Sequence, residues 1–142
     1  MAKSLSAFMA QNAKQVENRK FVASRRFVGE NGKPMEWELC CISAGENQKI
    51  RKSCMKSVPV NGKRGQYTQE FDNAGYQAKL AARCVVFPDL NDAELQESYG
   101  VMGAEQLISV MLNGGEFDEL ISAILDHNGF TDMGELVDEA KN

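Results

Sequence analysis

The stretch from residue 73 to residue 88, Asn-Ala-Gly-Tyr-Gln-Ala-Lys-Leu-Ala-Ala-Arg-Cys-Val-Val-Phe-Pro, contains a helical pattern that ends at a proline. Its larger apolar side chains recur every three or four residues, the spacing that places them on one face of a helix: Tyr76, Leu80, Cys84 and Phe87. Small alanines between them allow close packing. Since a proline cannot continue a helix, the pattern predicts a central helix from Asn73 to Phe87 that stops at Pro88.

The net charge of the chain changes sign at this same place. Residues 1–87 carry 15 Lys and Arg against 7 Asp and Glu, whereas residues 88–142 carry 1 against 13. The overall charge of −4 therefore conceals a basic part and an acidic part. We expect a single domain over 1–142, with a basic α+β part at 1–87, an acidic helical part at 88–130 and a tail at 131–142 that frays.

The basic part begins with a helical pattern and continues with two β-hairpin patterns. Apolar residues from Leu5 to Val16 predict an amphipathic helix that ends near Asn18. An Asn-Gly turn at 29–34 separates two strand-like runs, 21–28 and 35–42, and a second turn at 61–65 separates 57–60 from 66–71. Between the hairpins, Ser43 and Glu46 have the spacing of a capping box, which predicts a short helix over 44–56.

The acidic part contains three short helical patterns separated by glycine-containing breaks. They run from the cap-and-glutamate pattern Asn91-Asp92-Ala93-Glu94 through Tyr99, over 104–112, and over 116–127, with Gly100 and Asn128-Gly129 as C-terminal signals. The fold class predicted from these patterns is α+β. It comprises an N-terminal helix, one or two β-hairpins in a small antiparallel sheet, the central helix, and a C-terminal cluster of short acidic helices.

The composition excludes several classes of function. With 142 residues, 43% of them apolar, the chain is long enough to bury a core, and no apolar run approaches the roughly 18 residues of a membrane span. We therefore expect a soluble protein that is not exported. Four cysteines form no Cys-x-x-Cys pair and there is a single histidine, His127, so we predict no metal site and no cofactor. No nucleophile has a base and an orienting acid at recognisable spacing, which predicts that the protein is not an enzyme.

A nucleic-acid-binding role is a weaker alternative. Basic side chains on the hairpins and the short helix would suit a phosphate backbone. However, the acidic part can neutralise them, the sequence pI is near 5.1, and no recognition helix or base-stacking motif is present.

The apolar stripes of the acidic helices are the candidate partner-binding residues. Amphipathic helices joined by short breaks can form a groove for the apolar face of a partner helix. The residues predicted to make this contact are Leu107, Met111, Phe117, Leu120, Ile121, Ile124 and Leu125. Ordinary core packing is the competing interpretation of the same stripes.

Several short motifs together resemble one protein family. They include Leu5-Ser6-Ala7-Phe8-Met9, Ser24-Arg25-Arg26-Phe27, Glu36-Trp37-Glu38 and Arg51-Lys52-Ser53-Cys54, and above all Pro88-Asp89-Leu90-Asn91-Asp92-Ala93-Glu94-Leu95-Gln96 followed by Ser98-Tyr99-Gly100-Val101-Met102-Gly103-Ala104. The chain resembles, over residues 4–130, the XkdN-like tail assembly chaperones of PBSX-type phages and prophages.

The resemblance implies a non-enzymatic role in the cytoplasm of the bacterial host. A chaperone of this kind would bind the tape measure protein, keep it soluble during tail-tube assembly, and be absent from the mature virion. The tail tube protein is a further expected partner, with no membrane involved, and the charge split predicts that the basic part packs beside neighbouring copies, against their acidic parts. A structural tail subunit and a nucleic-acid-binding accessory protein are the alternative functions.

Overall fold

The computed structural model describes residues 4–130, and it confirms the α+β fold class. Within these residues, five strands and five α-helices follow one another. The strands are β1 (Arg19–Phe21), β2 (Trp37–Leu39), β3 (Met55–Pro59), β4 (Tyr67–Phe71) and β5 (Val85–Phe87). The helices are α1 (Ala44–Ser53), α2 (Asn73–Cys84), α3 (Ala93–Ser98), α4 (Ala104–Met111) and α5 (Gly114–His127).

A three-stranded antiparallel sheet lies on one side of the core, with strand order β1-β2-β5. Phe21 is opposite Trp37, and Leu39 is opposite Val85. Because side chains alternate across a strand, Trp37 and Leu39 point to one face together, and both are buried. The central strand β2 thus supplies the largest apolar contribution of the sheet to the core.

The first predicted hairpin forms, but its strands are shorter than predicted. Regular pairing is limited to β1 with β2, and a second contact near the turn joins Val28 to Pro34. Between these two contacts the chain leaves the ladder, and Ala23 and Ser24 are buried. The predicted strands over 21–28 and 35–42 were therefore wrong in extent, and within the first of them Arg26 contacts the junction of α4 and α5 through Met111 and Glu116.

The predicted N-terminal helix is the clearest error. The segment contains only a 3₁₀ turn at Ser6–Phe8, and Phe8 is 81% exposed. Leu5 and Val16 are also exposed. A short amphipathic helix is stabilised mainly by packing of its apolar face against another element. Within residues 4–130, no helix or strand covers the apolar side chains Leu5, Phe8 and Val16.

The central helix α2 ends at Cys84, three residues before the predicted end. Val85, Val86 and Phe87 instead form β5 and pair with β2. Two β-branched residues favour a strand, and the position before Pro88 disfavours helical geometry. The helix therefore does not run up to Pro88 as predicted: its predicted last turn pairs with β2 as a strand of the sheet instead.

The second hairpin is confirmed and forms a sheet of its own from β3 and β4. Its register runs from Met55 opposite Phe71 to Pro59 opposite Tyr67. The preceding helix α1 begins after its predicted cap, since the Ser43 side chain accepts a hydrogen bond from the Glu46 amide. It ends at Ser53 rather than at Lys56, because Met55 and Lys56 already belong to β3.

The three C-terminal helices begin at side-chain or glycine caps. Asp92 caps α3, and Gly100 follows that helix with a φ of 70°, in the left-handed region that favours glycine. Asn113 and Glu116 form a capping box, so α5 begins at Gly114 and not at the predicted Glu116. The tail predicted over 131–142 lies outside the described residues.

The core is formed where the sheet and these helices meet α2. The following side chains are almost completely buried: Trp37, Leu39, Leu80, Cys84, Leu90, Leu107, Ile108, Leu120 and Ile124. The helix α2 packs against α1, α4, α5 and β5, and is thus the central element of the described fold.

Candidate partner-binding groove

A mainly apolar groove of about 300 Å³ opens between α2, α4 and α5. We call it the helical groove. The residues that line it are Ala78, Glu105, Ile108, Ser109, Leu112, Asn113, Gly114 and Phe117. Its walls are aliphatic and aromatic, and its polar groups lie at the rim, as in sites that hold apolar ligands.

The sequence of α4 explains how the groove forms. Ile108 and Leu112 are four residues apart, so they share one face of the helical turn that leads into α5. Phe117 lies in the first turn of α5 and is only partly buried. Ala78 on α2 has a small side chain, and this leaves the space between the helices unfilled.

The seven residues predicted to contact a partner occupy different environments. Leu107, Met111, Leu120, Ile121 and Ile124 are buried in the core. Phe117 lines the helical groove, and Leu125 lines a smaller depression with Ser122, Asp126 and Phe130. The structure therefore brings one of the seven into the groove, and their role in binding remains a prediction.

Seven of the eight lining residues were not in the predicted set, and three of these seven have aliphatic side chains. Ile108 and Leu112 belong to the α4 stripe, but the pattern does not show which side of a short apolar helix lies at a groove. Ala78 gave no signal, because an alanine in a helix is typical of any packed surface.

An ion pair between Arg26 and Glu116, which we call the charged brace, lies at the junction of α4 and α5, next to the groove residue Asn113. The Arg26 guanidinium donates to the Met111 carbonyl oxygen at 2.7 Å and to Glu116 Oε1 at 2.9 Å. Glu116 Oε1 also accepts from the Asn113 amide at 3.0 Å. These partners stabilise the carboxylate: the Asn113 amide, then Ser24 and Arg26, lower the pKa of Glu116 to about 2.

We expect replacement of Glu116 by glutamine to reduce stability at neutral pH and to flatten its dependence on acid. A carboxylate with a lowered pKa in the folded state stabilises fully above its ordinary value of 4.5, and this contribution is lost as the pH falls toward about 2. Thermal unfolding of the wild type and Glu116→Gln should therefore differ most near neutrality and converge near pH 2.

Glu119→Gln is the matched control, since Glu119 lies exposed on the same helix with no cation within 4.0 Å among residues 4–130. It should change unfolding little at either pH. A Glu116→Gln variant as stable as the wild type at neutral pH would contradict the brace.

The Cys84 thiol has a structural rather than a reactive place in the fold. Burial raises the pKa of the Cys84 thiol to about 12, so the thiol stays protonated in the core. Among the described residues, no three His, Cys, Asp or Glu side chains come together as a metal site would require. None of the helices in that part of the chain has the length and apolarity needed to cross a membrane.

Comparison with known proteins assigns the fold and the family. The crystal structure of the protein yqbn, a structural genomics target, superposes with a TM-score of 0.77 at 22% identity, and the alignment covers 92% of this chain and 100% of that chain. At this identity the likeness shows the fold alone. No curated protein matches the chain. The family of phage XkdN-like tail assembly chaperone proteins matches residues 5–141. The chain therefore belongs to the XkdN-like tail assembly chaperone family.

Proposed function

We propose that this chaperone binds the tape measure protein through the helical groove and keeps it soluble while the tail tube assembles. Membership of the family supports a role in tail assembly through protein partners, and it favours a non-enzymatic role. The observation that carries the groove assignment is the apolar space between Ala78, Ile108 and Phe117, which no side chain within residues 4–130 fills.

The groove suits an apolar side chain from a helical client. A long helical protein presents apolar residues at regular intervals, and each can anchor in a pocket between helices. With a volume of about 300 Å³, the groove has room for one or two such side chains at a time. Many copies of a small chaperone would then cover a long client stepwise.

Exposed acids on α4 and α5 would keep the chaperone itself from aggregating. Glu105 lines the groove and is exposed, and Asp118 and Glu119 are exposed on α5, where they line a separate depression with Phe21 and Ala123. Like charge on the outer face discourages unspecific contact between apolar openings. Glu105 is the acid that lines the groove together with Phe117.

The seven residues predicted to bind a partner have two different roles in this proposal. Phe117 and Leu125 are partly exposed and can touch a client directly. The other five, which are buried, hold α4 and α5 in position, and they would meet the client only if α4 or α5 moved away from α2. Under this proposal the protein acts in the host cytoplasm and is not retained in the finished particle.

Co-expression with the tape measure protein tests the proposal. We expect the tape measure protein to be mostly insoluble alone, and to be soluble and to co-purify when the chaperone is present, because the groove covers its apolar residues. Equal insolubility with and without the chaperone would contradict client binding. Recovery of the protein from purified mature particles would instead favour a structural tail subunit.

A further inference from the structure

The helix α5 begins with two glycines, Gly114 and Gly115, although glycine is the poorest helix former after proline. A fold requires glycine where φ is positive or where a neighbouring group leaves no room for a Cβ atom. Neither glycine has a positive φ. Among residues 4–130, a Cβ atom added at Gly114 would have no heavy atom within 4 Å beyond its chain neighbours and the backbone of its own helix. One added at Gly115 would meet Asn113 Oδ1 at 3.9 Å, an ordinary contact. The described fold therefore has room for a side chain at both positions.

The two glycines differ in their place relative to the helical groove. Gly114 lines the groove, and Gly115 does not. The space that a side chain at position 114 would take therefore borders the groove. Ile108 and Phe117 are large apolar residues that line the same opening. Gly114 thus adds a short piece of bare backbone to an apolar lining.

We propose that Gly114 is a specificity-determining residue of the groove, because its bare backbone admits a helix of the tape measure protein that carries a large aliphatic side chain. This inference rests on the proposed function. Glycine is the residue that lets a ligand or another backbone come nearest. A leucine or methionine of the client that enters beside Ile108 and Phe117 then lies against the Gly114 backbone, in the volume that a side chain at position 114 would need.

Replacement of Gly114 should therefore change stability and binding in opposite directions. Alanine restricts the unfolded chain more than glycine does, and it fits a helix better. Gly114→Ala should therefore raise Tm, by roughly 1–4 °C. Each carbon added at position 114 also enters the volume proposed for the client, so the loss of binding should grow with the size of the new side chain.

The test is a binding titration of the purified tape measure protein, or a soluble segment of it, against Gly114→Ala and Gly114→Leu. Circular dichroism gives the Tm of each variant. We expect Kd to rise roughly fivefold or more for the alanine variant and roughly thirtyfold or more for the leucine variant.

Gly115→Ala and Gly115→Leu are the matched controls. They make the same changes one residue farther along the same helix, at an exposed position outside the groove. Both should bind the tape measure protein with the Kd of the wild type, and Gly115→Ala should raise Tm as Gly114→Ala does.

The outcomes separate this inference from the proposed function. If the wild type binds and Gly114→Leu binds equally well, the role of Gly114 is overturned while client binding stands. Equal weakening by Gly115→Leu would also overturn it, because the effect would not depend on the groove. A lower Tm for Gly114→Ala would do the same, since the fold itself would then need the glycine. No binding by the wild type would remove the proposed client and this inference with it.

Discussion

Replacement of Leu80 by alanine is expected to lower the free energy of unfolding by about 3 kcal/mol, within the range of roughly 2–5 kcal/mol that follows truncation of a buried leucine. Leu80 is 0% exposed and lies at the middle of α2, the helix that packs against α1, α4, α5 and β5. Truncation removes apolar contacts and leaves a cavity that the surrounding helices fill only in part. Denaturant unfolding followed by circular dichroism measures the change.

Met102→Ala is the control for this effect. Met102 is 85% exposed, and a substitution at such a surface position should change the free energy of unfolding by no more than about 0.5 kcal/mol. A loss below about 1 kcal/mol for Leu80→Ala would contradict the assignment of α2 as the central packed helix.

The second large effect is expected from a tryptophan placed in the helical groove. Ser109 is exposed on α4 and lines the groove, so Ser109→Trp adds a large ring to the space proposed for the client. The new side chain should occupy the groove and weaken binding of the tape measure protein by about 2 kcal/mol or more, roughly thirtyfold in Kd. The substitution removes only one exposed hydrogen bond, from Ser109 to the Gln106 carbonyl.

Val110→Trp is the matched control on the same helix. Val110 is 48% exposed and does not line the groove. Both variants add the same apolar ring to the surface, so they share any general effect on solubility or stability. Thermal unfolding of the two variants should agree, which leaves the position of the ring as the difference between them.

The sequence predicts the helices of this fold better than the ends of its strands. The α2 pattern and the cap at Ser43 locate helices correctly, and the Asn91–Glu94 pattern places the start of α3 within one residue of its observed cap at Asp92, because helix periodicity and capping are local properties. The end of α2 was misplaced because pairing of Val85 with Leu39 depends on a strand more than forty residues away. No local pattern contains that contact.

In the N-terminal segment, by contrast, a helix is predicted from local periodicity and does not form. Leu5, Phe8 and Val16 have good helical spacing, yet the chain forms only a 3₁₀ turn there. Periodicity indicates which face a helix would bury, but a short helix also needs a surface to bury it against.

The candidate site was only partly predictable for a related reason. The α4 and α5 stripes identified the helices that form the groove, but the same spacing describes both core and groove residues. Leu120 and Phe117 belong to one stripe, and only packing against α2 makes the first fully buried and leaves the second partly open. The small size of Ala78, which leaves the groove unfilled, has meaning only once α2 is placed beside α4.

Binding of the tape measure protein in the helical groove is the central property proposed for this chaperone. Its most direct test is a binding titration of the purified tape measure protein, or a soluble segment of it, against the wild type, Ser109→Trp and Val110→Trp. We predict that the wild type and Val110→Trp bind with similar Kd and that Ser109→Trp binds roughly thirtyfold more weakly. Equal binding by all three folded proteins would contradict the groove as the binding site, and no binding by the wild type would contradict the proposed client itself.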